Sequence, residues 1–195
     1  MLISAEHLSI NFGMRQILDD VSFYLNPGDR VGIIGINGTG KSTFLKALAG
    51  IWQYGEGTIR VPERKMLFLP QESYLPLGTL RTALCYPEAA SLFDDAACAR
   101  VLTLCGLRQY IEHLDDDDIT WSRKMSPGEK QRLAFAKSLL LRPDYLFLDE
   151  ATSALDNAME QHLYSCLLDE LPETTIVSVA HRLTIDKYHD HVLII

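Results

Sequence analysis

The chain has 195 residues, 47% hydrophobic and 23% charged, with a formal net charge of −8. That balance suits one folded domain with a buried core and excludes disordered and fibrous classes. The acidic excess argues against a general nucleic-acid binder, which offers phosphates a basic face.

Residues 1–34 read as β-structure: Val21, Phe23 and Leu25 alternate with Ser22 and Tyr24, and Asn26-Pro27-Gly28-Asp29 forms a turn. Next, Val31-Gly32-Ile33-Ile34 leads into Gly35-Ile36-Asn37-Gly38-Thr39-Gly40-Lys41-Ser42, in full agreement with G-x-x-x-x-G-K-[ST] between a strand and a helix. Glycines 35, 38 and 40 let the backbone turn tightly and aim N–H groups inward, and a helix over 41–49 presents its positive end to the same point. This is a phosphate cradle, with Lys41 expected on the β- and γ-phosphates and Ser42 on a Mg²⁺ ion. Phe44, Leu45 and Leu48 make the apolar face of that helix, and Gly50 suits its C-terminal cap. Short strands follow over 58–61 and 66–69. Residues 80–114 turn alanine-, leucine- and arginine-rich, with Val101, Leu102 and Cys105 at helical intervals. The run Asp115-Asp116-Asp117-Asp118 lacks the glycine and distal glutamate of a calcium loop and is expected to be a solvated charge run.

Beyond Ser126 the order is helix, strand, helix, strand, with strands expected over 145–148, 175–180 and 192–195. The alternation predicts a parallel sheet flanked by helices, with ligands gathered at the carboxyl ends of the strands. His189-Asp190-His191 reads as a polar turn before the last strand rather than a metal site. The cysteines Cys85, Cys98, Cys105 and Cys166 have no C-x-x-C spacing and are expected as reduced, buried thiols. No apolar run approaches the roughly eighteen residues of a membrane span, and no signal-peptide pattern opens the chain, so it is expected neither to cross a membrane nor to be secreted.

The chemistry sits at the strand ends. Asp149, after the apolar strand Tyr145-Leu146-Phe147-Leu148, is placed to bind Mg²⁺ through water, and Glu150, one residue beyond, to orient or deprotonate the water that attacks a γ-phosphate. The alternative for Glu150 is a helix cap or an arginine partner. Met125-Ser126-Pro127-Gly128-Glu129-Lys130-Gln131-Arg132 opens a helix: Ser126 fits the N-cap, Pro127 the first turn, and Glu129 completes an S-x-x-E capping box. Such an N-terminus either merely caps its helix or aims N–H groups and a hydroxyl at an anion.

Taken together, the glycine loop, Gln71 after a strand, Ser126-Pro127-Gly128-Glu129, Leu146-Phe147-Leu148-Asp149-Glu150, Ser153-Ala154-Leu155-Asp156 and His181 resemble, in that order, the nucleotide-binding domains of ABC transporters over nearly the whole chain. The resemblance implies an α/β P-loop NTPase (RecA-like) core with an N-terminal antiparallel β subdomain over 1–72 and 126–195, and an inserted α-helical subdomain over 73–125. It implies ATP and Mg²⁺, with Phe12 on adenine, the loop residues Gly35, Asn37, Gly38, Thr39, Gly40, Lys41, Ser42 and Thr43 on the phosphates, and Ser42, Gln71 and Asp149 around the metal. Glu150 would be the catalytic base, His181 would hold it and the water in place, and Ser126, Gly128 and Glu129 would meet the nucleotide of a second subunit. Two chains would then close head to tail on two ATP molecules. The implied partner is a transmembrane domain, fused or separate, which places this domain at the cytoplasmic face of a membrane. Tyr74-Leu75-Pro76-Leu77-Gly78-Thr79-Leu80-Arg81, Tyr86-Pro87 and Trp121 are similar to the branch of peroxisomal fatty-acyl half transporters and bacterial peptide or vitamin transporters. Asn37-Gly38-Thr39-Gly40 is similar instead to other branches, including cassette factors that act on ribosomes. With a last strand that stops at Ile195, this mixture is expected of a truncated or chimeric chain. Rival readings are a ribosome-acting cassette ATPase and a module that uses ATP only to dimerise.

Overall fold

The computed structural model describes residues 3–12, 15–36, 38–61, 63–116, 121–179 and 187–195, and for Phe12 and Arg15 the backbone only. By contact the chain divides into two units. The first comprises residues 1–68, 143–150 and 173–195, and the second 69–142 and 151–172.

In the first unit, β1 (Ile3–Phe12) pairs antiparallel with β2 (Arg15–Leu25) on one side and β4 (Glu56–Arg60) on the other. The buried apolar residues of β1 are Ile3 and Ala5, then Leu8 and Ile10, so the apolar inward face changes from odd to even positions. A strand has period two, and only an extra residue can shift that phase. It is found between Ala5 and Leu8, where the register slips and His7 takes φ 54°. Asp20 on β2, at φ 51°, closes the irregularity with a 2.6 Å contact to the His7 ring.

A five-stranded sheet has the order β5 (Met66–Leu69), β6 (Tyr145–Asp149), β7 (Thr175–Val179), β3 (Arg30–Ile34), β8 (His191–Ile194). The pairs β6–β7, β7–β3 and β3–β8 are parallel. Every residue of β6 and β7 is buried, which explains their near-continuous apolar text. Against this sheet packs α1 (Lys41–Leu48), whose Phe44, Leu45 and Leu48 are fully buried with Ile3, Leu25, Ile33 and Phe147. Each such side chain contributes about 1.5–3 kcal/mol, so the helix after the glycine loop is fixed by the core beneath it. The turn Asn26-Pro27-Gly28-Asp29 is pinned from β7: Thr175 Oγ1 donates to the Asn26 carbonyl at 3.0 Å and accepts from the Gly28 N–H at 2.8 Å. His189 bonds Ser178 of β7 and packs on Gly32, where a Cβ would lie 3.3 Å from its ring.

The second unit is helical: α2 (Leu80–Cys85), α3 (Asp95–Leu104), α4 (Trp121–Lys124), α5 (Pro127–Leu141) and α6 (Asn157–Glu170), with 3₁₀ turns over Ala90–Leu92 and Arg108–His113. Thr79, Asp94, Ser126 and Asp156 are side-chain N-caps of α2, α3, α5 and α6. From Leu133 to Leu141 α5 is buried at every position, so it is the axis on which α2, α3 and α6 pack. Arg81 of α2 grips Asp115 with two N–H groups, at 2.6 and 2.7 Å, and Asp95 with a 2.6 Å bond. Asp115 is thus a specific partner, held below the usual carboxylate range by Arg81, rather than part of a purely solvated run. Asp116 meets the ring of His113 at 2.8 Å; Asp117 and Asp118 lie outside the described residues. All four thiols are buried in this unit. Desolvation pushes the Cys85 thiol up to about 12 and raises the other three.

Candidate functional site

Two clusters carry the expected chemistry, one in each unit. In the first unit, β3 ends at Ile34 and the glycine loop turns the chain into α1. Gly40 is the N-cap at φ 98°, and no side chain among the described residues caps α1, so its first N–H groups can face an anion. The glycine is required twice over, because a non-glycine residue is strained at that φ and a Cβ there would run into Ile17 of β2. Lys41, 5% exposed, donates to the carbonyls of Gly35 and Ile36 at 2.9 Å each. Its ammonium therefore lies along the inside of the loop. Thr39 donates its hydroxyl to the same Ile36 carbonyl at 3.0 Å and Thr43 is half-buried in the first turn. Ser42 Oγ donates to Asp149 Oδ1 at 2.6 Å. Two residues 107 positions apart, both expected near Mg²⁺, thus meet at the carboxyl end of β6. A hydroxyl and a carboxylate are the hard oxygen donors that ion prefers, so the residues fit it.

Glu150 follows directly. Its N–H extends the β6–β7 ladder to the Val179 carbonyl at 3.2 Å, and its φ is 51°. A left-handed residue other than Gly, Asn or Asp is uncommon and costs about 1–3 kcal/mol. This bend turns the chain out of the strand direction at the carboxyl end of β6.

In the second unit, Ser126, Gly128 and Glu129 gather at the start of α5. Ser126 Oγ accepts from the Glu129 N–H at 3.3 Å, while Glu129 Oε2 accepts from the Ser126 N–H at 2.9 Å and its hydroxyl at 2.7 Å. Tyr110 donates to Glu129 Oε1 at 2.8 Å. Partial burial pulls the Glu129 carboxyl upward, but these donors outweigh it and hold the group below its ordinary range. Burial and the same bond push the Tyr110 hydroxyl up to about 12. A Cβ on Gly128 would lie 3.2 Å from the Ala154 carbonyl, so this glycine permits a close backbone approach. A cleft of about 290 Å³ there is lined by Ser126, Gly128, Arg132 and the turn ahead of α6. Gln71 has an exposed side chain, and its carbonyl accepts from Gln131 Nε2 at 3.2 Å.

Asn37 and His181 lie outside the described residues, as does the side chain of Phe12. Sequence reasoning missed Gln131, 4% exposed, which also bonds Ser153 and Ala154. No periodic signal marks it, because α5 is buried on nearly every side from this turn onward. Asp156, expected with its neighbours in the interface between two copies, has a local role the sequence reading did not give it: its Oδ1 accepts the Met159 N–H at 2.8 Å as the cap of α6.

Comparison with known proteins bears on the same residues. The sequence model of the family described as ABC transporter matches residues 18–153. An uncharacterized ABC transporter ATP-binding protein of Haemophilus influenzae is 40% identical over 179 residues, covering 92% of this chain and 30% of that protein. The lysosomal cobalamin transporter ABCD4 of Homo sapiens is 36% identical over 192 residues, covering 92% of this chain and 31% of that one. Among solved structures, a bacterial Atm1-family ABC exporter with ATP bound superposes with a TM-score of 0.85 at 27% identity, over 100% of this chain and 36% of that chain. The chain thus spans about three-tenths of the length of the curated relatives it matches. No helix among the described residues is long and apolar enough to cross a membrane.

Proposed function

The chain belongs to the ABC transporter family, and from that premise we propose that it binds Mg-ATP, hydrolyses it, and powers solute movement through a transmembrane domain at the cytoplasmic face of a membrane. The observation that carries the reading is the Ser42–Asp149 contact beside the uncapped N-terminus of α1.

On this reading the loop N–H groups and Lys41 bind the β- and γ-phosphates, Lys41 exchanging its bonds to Gly35 and Ile36 for phosphate oxygens. Ser42 and Asp149 hold Mg²⁺, which when bound neutralises charge on the β- and γ-oxygens. Glu150 orients the attacking water and accepts its proton at a carboxylate oxygen. The start of α5, with Ser126 and Gly128, receives the γ-phosphate carried by a second copy, so the working unit is a head-to-tail pair. The roles of Gln71 and His181 beside Mg²⁺ and the water, and of Phe12 against adenine, follow from the family pattern. A ribosome-acting cassette and a dimerisation-only module are the rivals, and a carboxylate at Glu150, one residue beyond Asp149, favours hydrolysis over the latter.

The test is steady-state Mg-ATP turnover against protein concentration for the parent, Lys41→Ala and Glu150→Gln. A rate per chain that rises with concentration and vanishes in both variants is the expected result. A flat rate indifferent to both substitutions rejects the proposal.

A further inference from the structure

Gln131 lies in the second turn of α5 with its amide buried, and each of its polar functions is used. Nε2 donates to the Gln71 carbonyl at 3.2 Å and to Ser153 Oγ at 3.0 Å, and Oε1 accepts the Ala154 N–H at 2.9 Å. Two donors and one acceptor therefore meet two acceptors and one donor, on two segments that are 82 positions apart from Gln71 to Ser153 in the chain. Ser153 and Ala154 are exposed and Gln71 is exposed, so water could satisfy their groups. The buried amide thus adds little that solvent could not supply in bonding; what solvent cannot supply is a fixed distance between the two segments. A rigid helix that is buried along most of its length, with Gly128 one turn earlier against the Ala154 carbonyl, provides that fixed reference.

We propose that Gln131 is a positioning residue: it holds the loop that carries Gln71 and the turn that begins three residues after Glu150 in one register, so that both loops move with α5. The inference rests on the proposed ATP hydrolysis for its functional consequence, and on hydrogen bonding alone for the tether.

The experiment compares the parent with Gln131→Met, which keeps the length and packing of the side chain, and Gln131→Glu at pH 8, whose carboxylate retains an acceptor for the Ala154 N–H and has no N–H for the Gln71 carbonyl. Backbone hydrogen exchange without nucleotide and Mg-ATP turnover are measured on each. For Gln131→Met, exchange at residues 153–155 speeds up, kcat falls roughly ten- to a hundredfold and KM for ATP stays within about twofold, because positioning acts on the reacting geometry rather than on uniform binding. For Gln131→Glu, exchange at Ala154 stays slow while kcat still falls. Unaltered exchange at 153–155 in Gln131→Met overturns the tether, and an unaltered kcat, or a raised KM with kcat intact, overturns its role in turnover. Should the parent show no turnover sensitive to Lys41→Ala, the proposed function fails, and the exchange measurement still decides the tether.

Discussion

Lys137 offers a stability test with a definite sign. It is 9% exposed on the buried stretch of α5, its ammonium lies 5.6 Å from the centre of the Tyr86 ring, and no ion pair holds it among the described residues. Desolvation brings the group from an ordinary 10.5 down to about 8, with the nearby Cys85 acting weakly in the opposite direction. Because the folded chain disfavours the charged form, the unfolded chain binds more protons between those two values, and stability rises with pH across that window. The penalty is fully present below pH ~8 and disappears as pH passes ~10.5. From that shift it amounts to about 3 kcal/mol at pH 7 and about 1.4 kcal/mol at pH 9.5. The ring offsets roughly 1 kcal/mol of this. Lys137→Met, nearly equal in volume, is therefore expected to stabilise the chain by about 2 kcal/mol at pH 7, by about 1 kcal/mol at pH 9.5, where the folded amine is neutral and the ring offset is gone, and by nothing above pH ~10.5. Urea unfolding at both pH values, read as the midpoint with the slope unchanged, measures the difference. A gain of equal size at both pH values, or a loss at pH 7, would refute the desolvation argument.

Gly40→Ala combines a positive φ with a collision at Ile17; we expect about 1–3 kcal/mol of destabilisation and loss of nucleotide binding, and unchanged affinity in a fluorescent-nucleotide titration would contradict it. Ser42→Ala removes the 2.6 Å bond to a carboxylate that is 5% exposed. ATP binding without Mg²⁺ should persist while its tightening by Mg²⁺ disappears in calorimetry, and identical Mg²⁺ dependence would remove Ser42 from the metal site. Glu129→Ala breaks the capping box at a cost of about 1 kcal/mol near neutrality. Since the folded Glu129 carboxyl lies below its ordinary range, its stabilisation is present above that range and lost as pH falls through the folded value. The gap in urea midpoint between parent and variant should close in acid, and a gap independent of pH would show that the charge plays no part.

What the sequence reveals follows from how local each constraint is. The glycine loop is legible because a tight turn, a cation and a hydroxyl must be contiguous to cradle phosphates. Asp149 is legible by a second rule, that a parallel sheet gathers its ligand groups at the carboxyl ends of its strands, and the fold brings it to Ser42 across 107 positions. The phase change of β1 between Ala5 and Leu8 leaves no mark beyond a broken alternation, and the left-handed Glu150 leaves none at all, since backbone geometry at a strand end is imposed by the strands around it. Gln131, Lys137 and Asp115 were unreadable for a related reason. Whether an amide, an ammonium or a carboxylate faces solvent depends on which helices pack against it, and in α5, buried nearly all round, polar residues carry no periodic signature.

The placement of the cysteines makes the chain its own reporter. All four belong to the second unit and none to the first, and burial together with raised thiol pKa values keeps each unreactive while the helices stay closed. An added maleimide or disulfide reagent is consumed only when that unit opens, so the rate of thiol loss times the opening of one half of the protein with no label introduced. The phosphate loop contains no thiol and is invisible to the reagent. A nucleotide that slows the reaction has then stabilised the helical unit, and the free energy delivered there can be read from thiols already present in the sequence.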